Sequence, residues 1–410
     1  MQKAEAHWPF LLWLRQDAPI PARHFEKDLR DAGAERELRM TLVIDNPTVE
    51  LVLKPADINA ALEMAALELA TGGAVNAPPY RVLTPRNSDE YRDHPRFPKG
   101  GGDPTHHSFT SLTGAIAKLD VTSDRVDSDI ITYFQQDGRV LQRRVPGRAG
   151  AFCGLIYLYS SRTGELLAII HDGYLQKFRV AGTGAVGAKY LAREDARVMA
   201  LIGTGWQAEG AAHCFAALGA LKRIKVYSPT PGKKEAFANK VSEEAQVEIV
   251  PVQSAREAVR GADIVYMATN SKDPVVMADW LEPGQYVSNV SDVELELAGW
   301  ERCDVLVMNR HGRRWMRYAI GGEDVIPEHA RDQYTRPTRI NWDQLPLLGE
   351  VISGTHPGRT AQDQITGLVL RGDGVQFTAV GHLIYERCKQ QGLGHEIPSN
   401  LFLQDERYIP

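Results

Sequence analysis

The stretch Val198–Ala212, VMALIGTGWQAEGAA, decides the fold. A short apolar run breaks at Gly203, Gly205 and Ala208 and then resumes with helical periodicity. The first glycine permits the tight turn out of a strand. The second lets backbone approach a pyrophosphate, and the small third residue lets the helix pack closely on the strand. The pyrophosphate of a dinucleotide then rests on the unpaired N–H groups and positive dipole end of that helix. A second apolar segment, Ile224–Tyr227, ends about 20 residues past the glycines, where the ribose-reading residue of such a fold is expected.

From Val198 onward the pattern runs strand, helix, strand. Helices are expected near Lys233–Val241 and after Ser254, which opens a capping box with Glu257. Further strands are expected at Val247–Val250, Asp263–Ala268, Tyr286–Val290 and Val305–Met308. This predicts an α/β fold with a Rossmann-type doubly wound parallel sheet, in which Gly203, Ser228 and Thr269 converge beyond the carboxyl ends of the strands. Upstream, Lys54-Pro55 and Gly72-Gly73 bracket an amphipathic surface helix carrying Ile58, Leu62, Ala65 and Leu69. The Gly- and Pro-punctuated segment Tyr80–His171 predicts an antiparallel sheet, with a loop over Arg92–Pro104. A Gly- and Ala-lined helix is expected from about Thr183 to Ala192, its small residues serving close packing.

Composition narrows the function. A chain of 410 residues with 43% hydrophobic content fills one or two substantial cores, or about two to three domains. A net charge of −5 without a dense Lys/Arg tract gives no electrostatic reason to bind nucleic acid. The four cysteines, Cys153, Cys214, Cys303 and Cys388, are widely spaced and read as free thiols of a cytoplasmic protein. The apolar run His7–Leu14, HWPFLLWL, is too short to span a bilayer, so no membrane role is expected. It also lacks a basic leader and a small-residue cleavage site. Residues 1–39 are expected to be an extension that packs on the body or on a partner subunit.

Five segments, KFRVAGTGAVGAKYLA, LIGTGWQAEG, ADIVYMATNSKDPV, WLEPGQYVSNVS and GEVISGTHPGRT, together resemble the ornithine cyclodeaminase/mu-crystallin family, in the family order and over roughly residues 42–395. The resemblance implies a dinucleotide-binding domain at 190–322 inserted into an α+β substrate and dimerisation domain made from 40–189 and 323–410. It also implies a homodimer. Activities in the family include cyclising deamination of ornithine, reduction of cyclic imines and oxidative deamination of amino acids. The expected function is therefore an NAD(P)-dependent oxidoreductase acting on the C–N bond of a small amino or imino acid, with a keto acid as the other expected partner. The alternatives are an ornithine cyclodeaminase-type ammonia lyase and a non-catalytic NADP-binding protein of mu-crystallin type.

Hydride transfer tolerates little misplacement, so an amino or imino acid must be pinned with its α-carbon facing the nicotinamide. A planar guanidinium does this by bidentate contact with the carboxylate. Arg179 stands where the family's R-T-A-A motif has its arginine, just before the expected helix, and Arg81, in APPYRVL, matches a second substrate-facing arginine. Each is open to a plainer reading as a surface charge. Where the cyclodeaminases carry a lysine, the alignment supplies Arg125, with Lys118 nearby. Arginine cannot give up its proton near neutral pH, so Arg125 suits anchoring an anion and disfavours ornithine cyclisation. For general acid the family implies Asp292, with Glu294 as the alternative register.

The expected cofactor-binding residues are Gly203, Thr204, Gly205, Trp206, Gln207 and Ala208, then Ser228, Thr230 and Lys233, then Thr269, Asn270 and Ser271. The second strand ends in Tyr227-Ser228-Pro229-Thr230, followed by Gly232-Lys233-Lys234, without the carboxylate that binds an unphosphorylated ribose. Its hydroxyls and both lysines are expected to accept a 2′-phosphate. This favours NADP(H) and leaves NAD(H) open, since the family's phosphate-binding arginine is replaced by Pro229. His106-His107 reads as a solvated loop rather than a metal site, and Asp124, Asp127 and Asp129 lack a full calcium-loop pattern. Trp206, Trp300, Trp315 and Trp342 read as packing residues.

Overall fold

A computed structural model describes residues 39–99, 101–102, 104–136, 138–146, 152–311, 316–321 and 337–403. Residues 1–38 of the N-terminal extension, including His7–Leu14, and Trp315 lie outside the described residues, as does the first part of the expected C-terminal return.

In chain order the elements begin with β1 (Met40–Ile44), α1 (Asn46–Val52), α2 (Pro55–Ala70), β2 (Ala74–Asn76), β3 (Tyr80–Arg86), β4 (Thr105–Ile116), β5 (Val121–Gln136), β6 (Arg139–Val145), β7 (Cys153–Ser160) and β8 (Leu166–His171). The crossing helix α3 (Gly173–Leu191) follows. Then come β9 (Val198–Ile202), α4 (Trp206–Ala216), β10 (Arg223–Tyr227), α5 (Lys233–Ala245), β11 (Glu248–Pro251), α6 (Ala255–Val259), β12 (Ile264–Met267) and β13 (Tyr286–Asn289). The last are α7 (Leu297–Glu301), β14 (Val305–Met308), β15 (Met316–Ala319), α8 (Leu348–Ser353), β16 (Thr366–Val369), α9 (Gly374–Gln391) and β17 (His395–Pro398).

Two sheets organise these elements. The first runs β15-β3-β4-β5-β7-β8-β1-β17, with β2 on β4 and β6 on β5; it is antiparallel except for the pairs β15/β3 and β1/β8. The second, β11-β10-β9-β12-β13-β16-β14, is wholly parallel. It is the doubly wound sheet announced by the glycine motif. Strand membership differs from the expected boundaries in two places. Met316–Ala319, ahead of residue 322, belongs to the first sheet, and Thr366–Val369, well beyond it, is inserted between β13 and β14 of the second. Each short strand is claimed by whichever sheet has an open ladder beside it, a non-local choice that local periodicity does not encode.

Helix α3 begins at Gly173, ten residues earlier than expected, so Arg179 lies inside the helix rather than ahead of it. Its small residues let it lie flush: a Cβ on Gly184 would stand 2.6 Å from the Tyr266 ring, and one on Gly187 would stand 2.3 Å from the Tyr286 hydroxyl. Helix α2 starts with Pro55 in its first turn and buries Ile58, Leu62 and Ala65, as its spacing predicts. It is enclosed by α3, α8 and α9 rather than lying on the surface. His106 and His107 are on β4, not in a loop: His106 is buried and His107 Nε2 meets Ser128 Oγ at 2.9 Å. Trp300 and Trp342 are buried packing residues, whereas Trp206 is 46% exposed.

Candidate active site

The carboxyl ends of β9, β12 and β13 meet at one crevice. Gly203 leaves β9 at φ +119°, and a Cβ there would lie 2.2 Å from the Ala268 carbonyl oxygen, so only glycine makes this turn. Gly205 differs. Its φ is ordinary and a Cβ would meet nothing within 4 Å, and no side chain caps the first turn of α4. An open approach to unpaired helix N–H groups, with Ala208 fully buried beneath, fits the pyrophosphate of a dinucleotide.

Glu294 organises the neighbouring loops. Its Oε1 accepts from Thr269 N at 2.5 Å and Thr269 Oγ1 at 2.7 Å, and its Oε2 accepts from Val290 N at 3.1 Å and Ser291 N at 2.7 Å. The carboxylate is completely buried, and burial pushes its pKa up to about 7 against the pull of these donors. Glu294 therefore ties the ends of β12 and β13 together and does not face the crevice, whereas Asp292, the first of the two candidates, does. Ser271 stays within its own turn, its Oγ donating to the Asp273 carbonyl. Strand β6 leans on the same loop: Gln142 N donates to the Asn270 carbonyl at 3.4 Å, and Lys272 N to the Val140 carbonyl at 2.9 Å.

At the end of β10, Ser228 Oγ accepts from Thr230 N at 3.4 Å and Lys233 stands exposed. Lys234 turns inward, donating to the Val252 carbonyl at 2.8 Å and to Gln253 Oε1 at 3.1 Å.

A cavity of about 670 Å³ opens beside these loops. Trp206, Gln207, Thr269 and Asn270 line it from the dinucleotide side, and Arg81, Arg179 and Asp292 also line it. Residues expected at the cofactor from Gly203, Thr204, Gly205, Ala208, Ser228, Thr230, Lys233 and Ser271 are not among its described lining. Most of these carry the adenosine and pyrophosphate part of the expectation.

Arg179 is 7% exposed. Its guanidinium carbon stands 4.5 Å from the centroid of the Phe377 ring, and Nη1 donates to Gln376 Oε1 at 3.1 Å. Nε is buried with no hydrogen-bond partner among the described residues, and burial lowers the pKa to about 10. A guanidinium held dry without a carboxylate partner is costly by itself and complements an incoming anion.

Arg125, expected as a second anion anchor, is not in the cavity. It is 2% exposed, with Nε on Asp172 at 2.5 Å, an ion pair to Asp127, and Nη2 donating to Gln176 Oε1 at 2.8 Å. Burial opposes its charge, but Asp172 and Asp127 outweigh burial and hold its pKa above the usual arginine value. The guanidinium is spent internally. Gln176, which it orients, does line the cavity and accepts Gln207 Nε2 on its carbonyl oxygen at 3.1 Å. Lys118 is exposed and pairs with Glu68 at 3.5 Å.

Asp124 accepts from Ser111 and Thr113, and Asp127 and Asp129 serve Arg125 and Arg144. Among the described residues no His, Cys, Asp or Glu group is arranged to hold a metal. No described helix is long and apolar enough to cross a membrane. The site contains residues that local reading missed. Gln176 could have been found, since it lies three residues before Arg179 on one helix face. Arg144, Arg317 and Gln376 arrive from distant strands and from α9 and carry no local signal.

A model of the ornithine cyclodeaminase/mu-crystallin family matches residues 149–392. Uncharacterized cyclodeaminase y4tK of Sinorhizobium fredii is 33% identical over 297 residues, spanning 68% of this chain and 86% of that protein. Delta(1)-pyrroline-2-carboxylate reductase of Bacillus cereus is 28% identical over 244 residues, 60% of this chain and 74% of its own length. In three dimensions the chain is similar to Thermococcus litoralis Delta(1)-pyrroline-2-carboxylate reductase, solved in complex with NADH and L-proline. The TM-score is 0.66 at 21% identity, over 87% of this chain and all of that one, a likeness of fold. The glycine turn, the parallel sheet behind it and these matches lead to one conclusion: the chain belongs to the ornithine cyclodeaminase/mu-crystallin family.

Proposed function

We propose that this protein is a nicotinamide-dependent oxidoreductase acting on the C–N bond of a small amino or imino acid, as an imine reductase or amino-acid dehydrogenase. The observation that carries the reading is the shared cavity: Arg179 and Asp292 line the same space as Trp206, Gln207, Thr269 and Asn270. The nicotinamide, when bound, supplies or accepts the hydride. Arg179 holds the substrate carboxylate, with Arg81 beside the same space. Asp292 gives a proton to the imine nitrogen in reduction and takes one from the amine in the reverse direction. Gln176 and Gln376 fix the cavity wall around the clamp.

Cyclodeamination is disfavoured. Arg125 is locked to two carboxylates, and Lys272 is the single lysine among the described lining residues.

NADP(H) is preferred over NAD(H) in this reading, because β10 ends without a carboxylate and Ser228, Thr230 and Lys233 remain available for a 2′-phosphate. A homodimer is supported by the outward side chains of edge strand β15, where Met316 and Tyr318 are 42% and 56% exposed. The four cysteines are thiols, in keeping with a reducing cytoplasm.

The deciding experiment follows nicotinamide absorbance with a panel of amino acids, and of 2-oxo acids with ammonium, using both cofactors. Turnover of a carboxylate-bearing amine or imine, faster with NADPH than NADH, is expected. Tight cofactor binding without turnover of any substrate would instead favour a non-catalytic binding protein, and rapid conversion of ornithine to proline would restore cyclodeamination.

A further inference from the structure

The charge lining the cavity exceeds what one carboxylate clamp needs. Eight arginines and one lysine line it against a single described carboxylate, Asp292. The dinucleotide phosphates do not account for the excess, since their place is the first turn of α4, and the nicotinamide end carries no anion. Three of these arginines come together on the first sheet, whereas Arg179 is on α3. Arg317 of β15 and Arg81 of β3 are direct register partners, so both side chains leave the same face, and the row continues through Thr110 to Asp127. Arg144 reaches the group from β6, leaning on Asp129 at 2.8 Å and on Asp127 at 3.5 Å.

Electrostatics separates the two clusters. Burial is the main cause that lowers the Arg81 pKa; Tyr133 and Asp127 pull it back up, while the like charges of Arg144 and Arg317 push it down. The like charge that depresses Arg179 after burial is instead Arg125, opposed by Asp373 and Asp172. Arg317 is in no ion pair among the described residues, and its Nε is buried without a hydrogen-bond partner. Neighbouring strands that present two guanidinium groups side by side, with a third across the row, store repulsion that an anion relieves.

We propose that Arg81, Arg144 and Arg317 form a second anion subsite, so that the substrate is an amino or imino acid bearing a second carboxylate on its side chain. The proposal rests on the oxidoreductase reading for its chemistry but not for its binding. Arg179 takes the α-carboxylate and the triad takes the distal one. Two fixed anchors then set which face of the α-carbon meets the nicotinamide.

Two measurements test it. The first compares kcat/KM for aspartate and glutamate with their monocarboxylate counterparts 2-aminobutyrate and norvaline, in wild type, Arg317→Met and Arg317→Lys. The expected result is a diacid preference of at least tenfold in wild type. Arg317→Met should lose it through KM, with monoacid kinetics changed less than twofold, and Arg317→Lys should recover part. The second titrates succinate and butyrate into the protein by calorimetry, with succinate binding weakened at least tenfold by Arg317→Met and butyrate unaffected. Turnover of monoacids with no diacid preference, or an equal loss for both classes in Arg317→Met, would overturn the subsite and leave the oxidoreductase reading standing. Arg317-dependent succinate binding without turnover of any amine would sustain the subsite while the oxidoreductase reading fails.

Discussion

Arg179 lies over the ring of Phe377, its guanidinium carbon 4.5 Å from the centroid, and this stacking holds the guanidinium plane in place with no carboxylate paired to it among the described residues. Phe377 also carries Arg125 at 5.2 Å, so one ring supports two arginines with opposite fates, one facing the cavity and one consumed by Asp172 and Asp127. Truncating Arg179 to alanine should remove a charge-assisted bidentate contact and cost about 3 kcal/mol of transition-state stabilisation, roughly a hundredfold in kcat/KM. Arg179→Lys should recover only part, because an ammonium lacks the planar fork. Steady-state kinetics on the best substrate of the panel checks this, and normal kinetics in the alanine variant would remove the clamp.

Arg125 should behave as a structural group. Arg125→Met leaves Asp127 and Asp172 buried beside each other without their shared cation and should lower stability by about 3 to 5 kcal/mol, read by denaturant titration. A variant as stable as wild type would show that the pair network does not hold the fold.

Glu294 links stability to pH. Its pKa is raised by burial from 4.5 to about 7, so between these values the folded protein holds a proton that the unfolded chain has released. Stability should therefore fall as pH rises through that window and stay level above it, by roughly 1 to 3 kcal/mol in all. Glu294→Gln does not titrate and should lack this slope when unfolding is compared at the two ends of the window. Because its amide places N–H donors against backbone N–H groups, it should also bind the cofactor more weakly.

The two glycines of the turn should separate cleanly. Gly205→Val places its side chain in open space at an ordinary φ, so thermal stability should hold while cofactor affinity falls at least about tenfold, or about 1.4 kcal/mol. Gly203→Ala should instead destabilise the protein itself, since its Cβ meets the Ala268 carbonyl and its φ of +119° lies outside the regions that L side chains adopt. Fluorescence titration and melting curves of both variants distinguish the two outcomes.

Arg359, in the family segment GTHPGRT, is a strut. It donates to the carbonyls of Leu191 and Gln364 at 2.8 and 2.6 Å, to those of Gly284 and Gln285 at 3.2 Å, and to Thr366 Oγ1 at 2.9 Å. It joins the end of α3 to the amino ends of the interior strands β13 and β16 of the parallel sheet. Arg359→Ala should cost about 2 to 4 kcal/mol of stability while KM values of the remaining folded enzyme stay unchanged.

The sequence by itself determined the local architecture. The turn at Gly203, the packing residue Ala208, the strand periods from Val198 to Met308 and the helix at Pro55 were legible because backbone sterics and side-chain period act over a few residues. Arg179, Arg81 and Asp292 were legible as cavity residues only with the family pattern beside them, and α3 was read short because its Gly-rich face hides the helical period until a sheet packs on it. The tertiary structure alone decided which charges are spent. Arg125 and Arg179 are the same chemistry on adjoining elements, but Asp172 is 47 residues from Arg125 in sequence and reaches it only after β7 and β8 have paired. Arg317 and Arg81 likewise become neighbours only when β15 joins the far edge of the first sheet. A buried charge takes its role from the partner that reaches it, and that partner is chosen by strand pairing over long range rather than by the residues on either side.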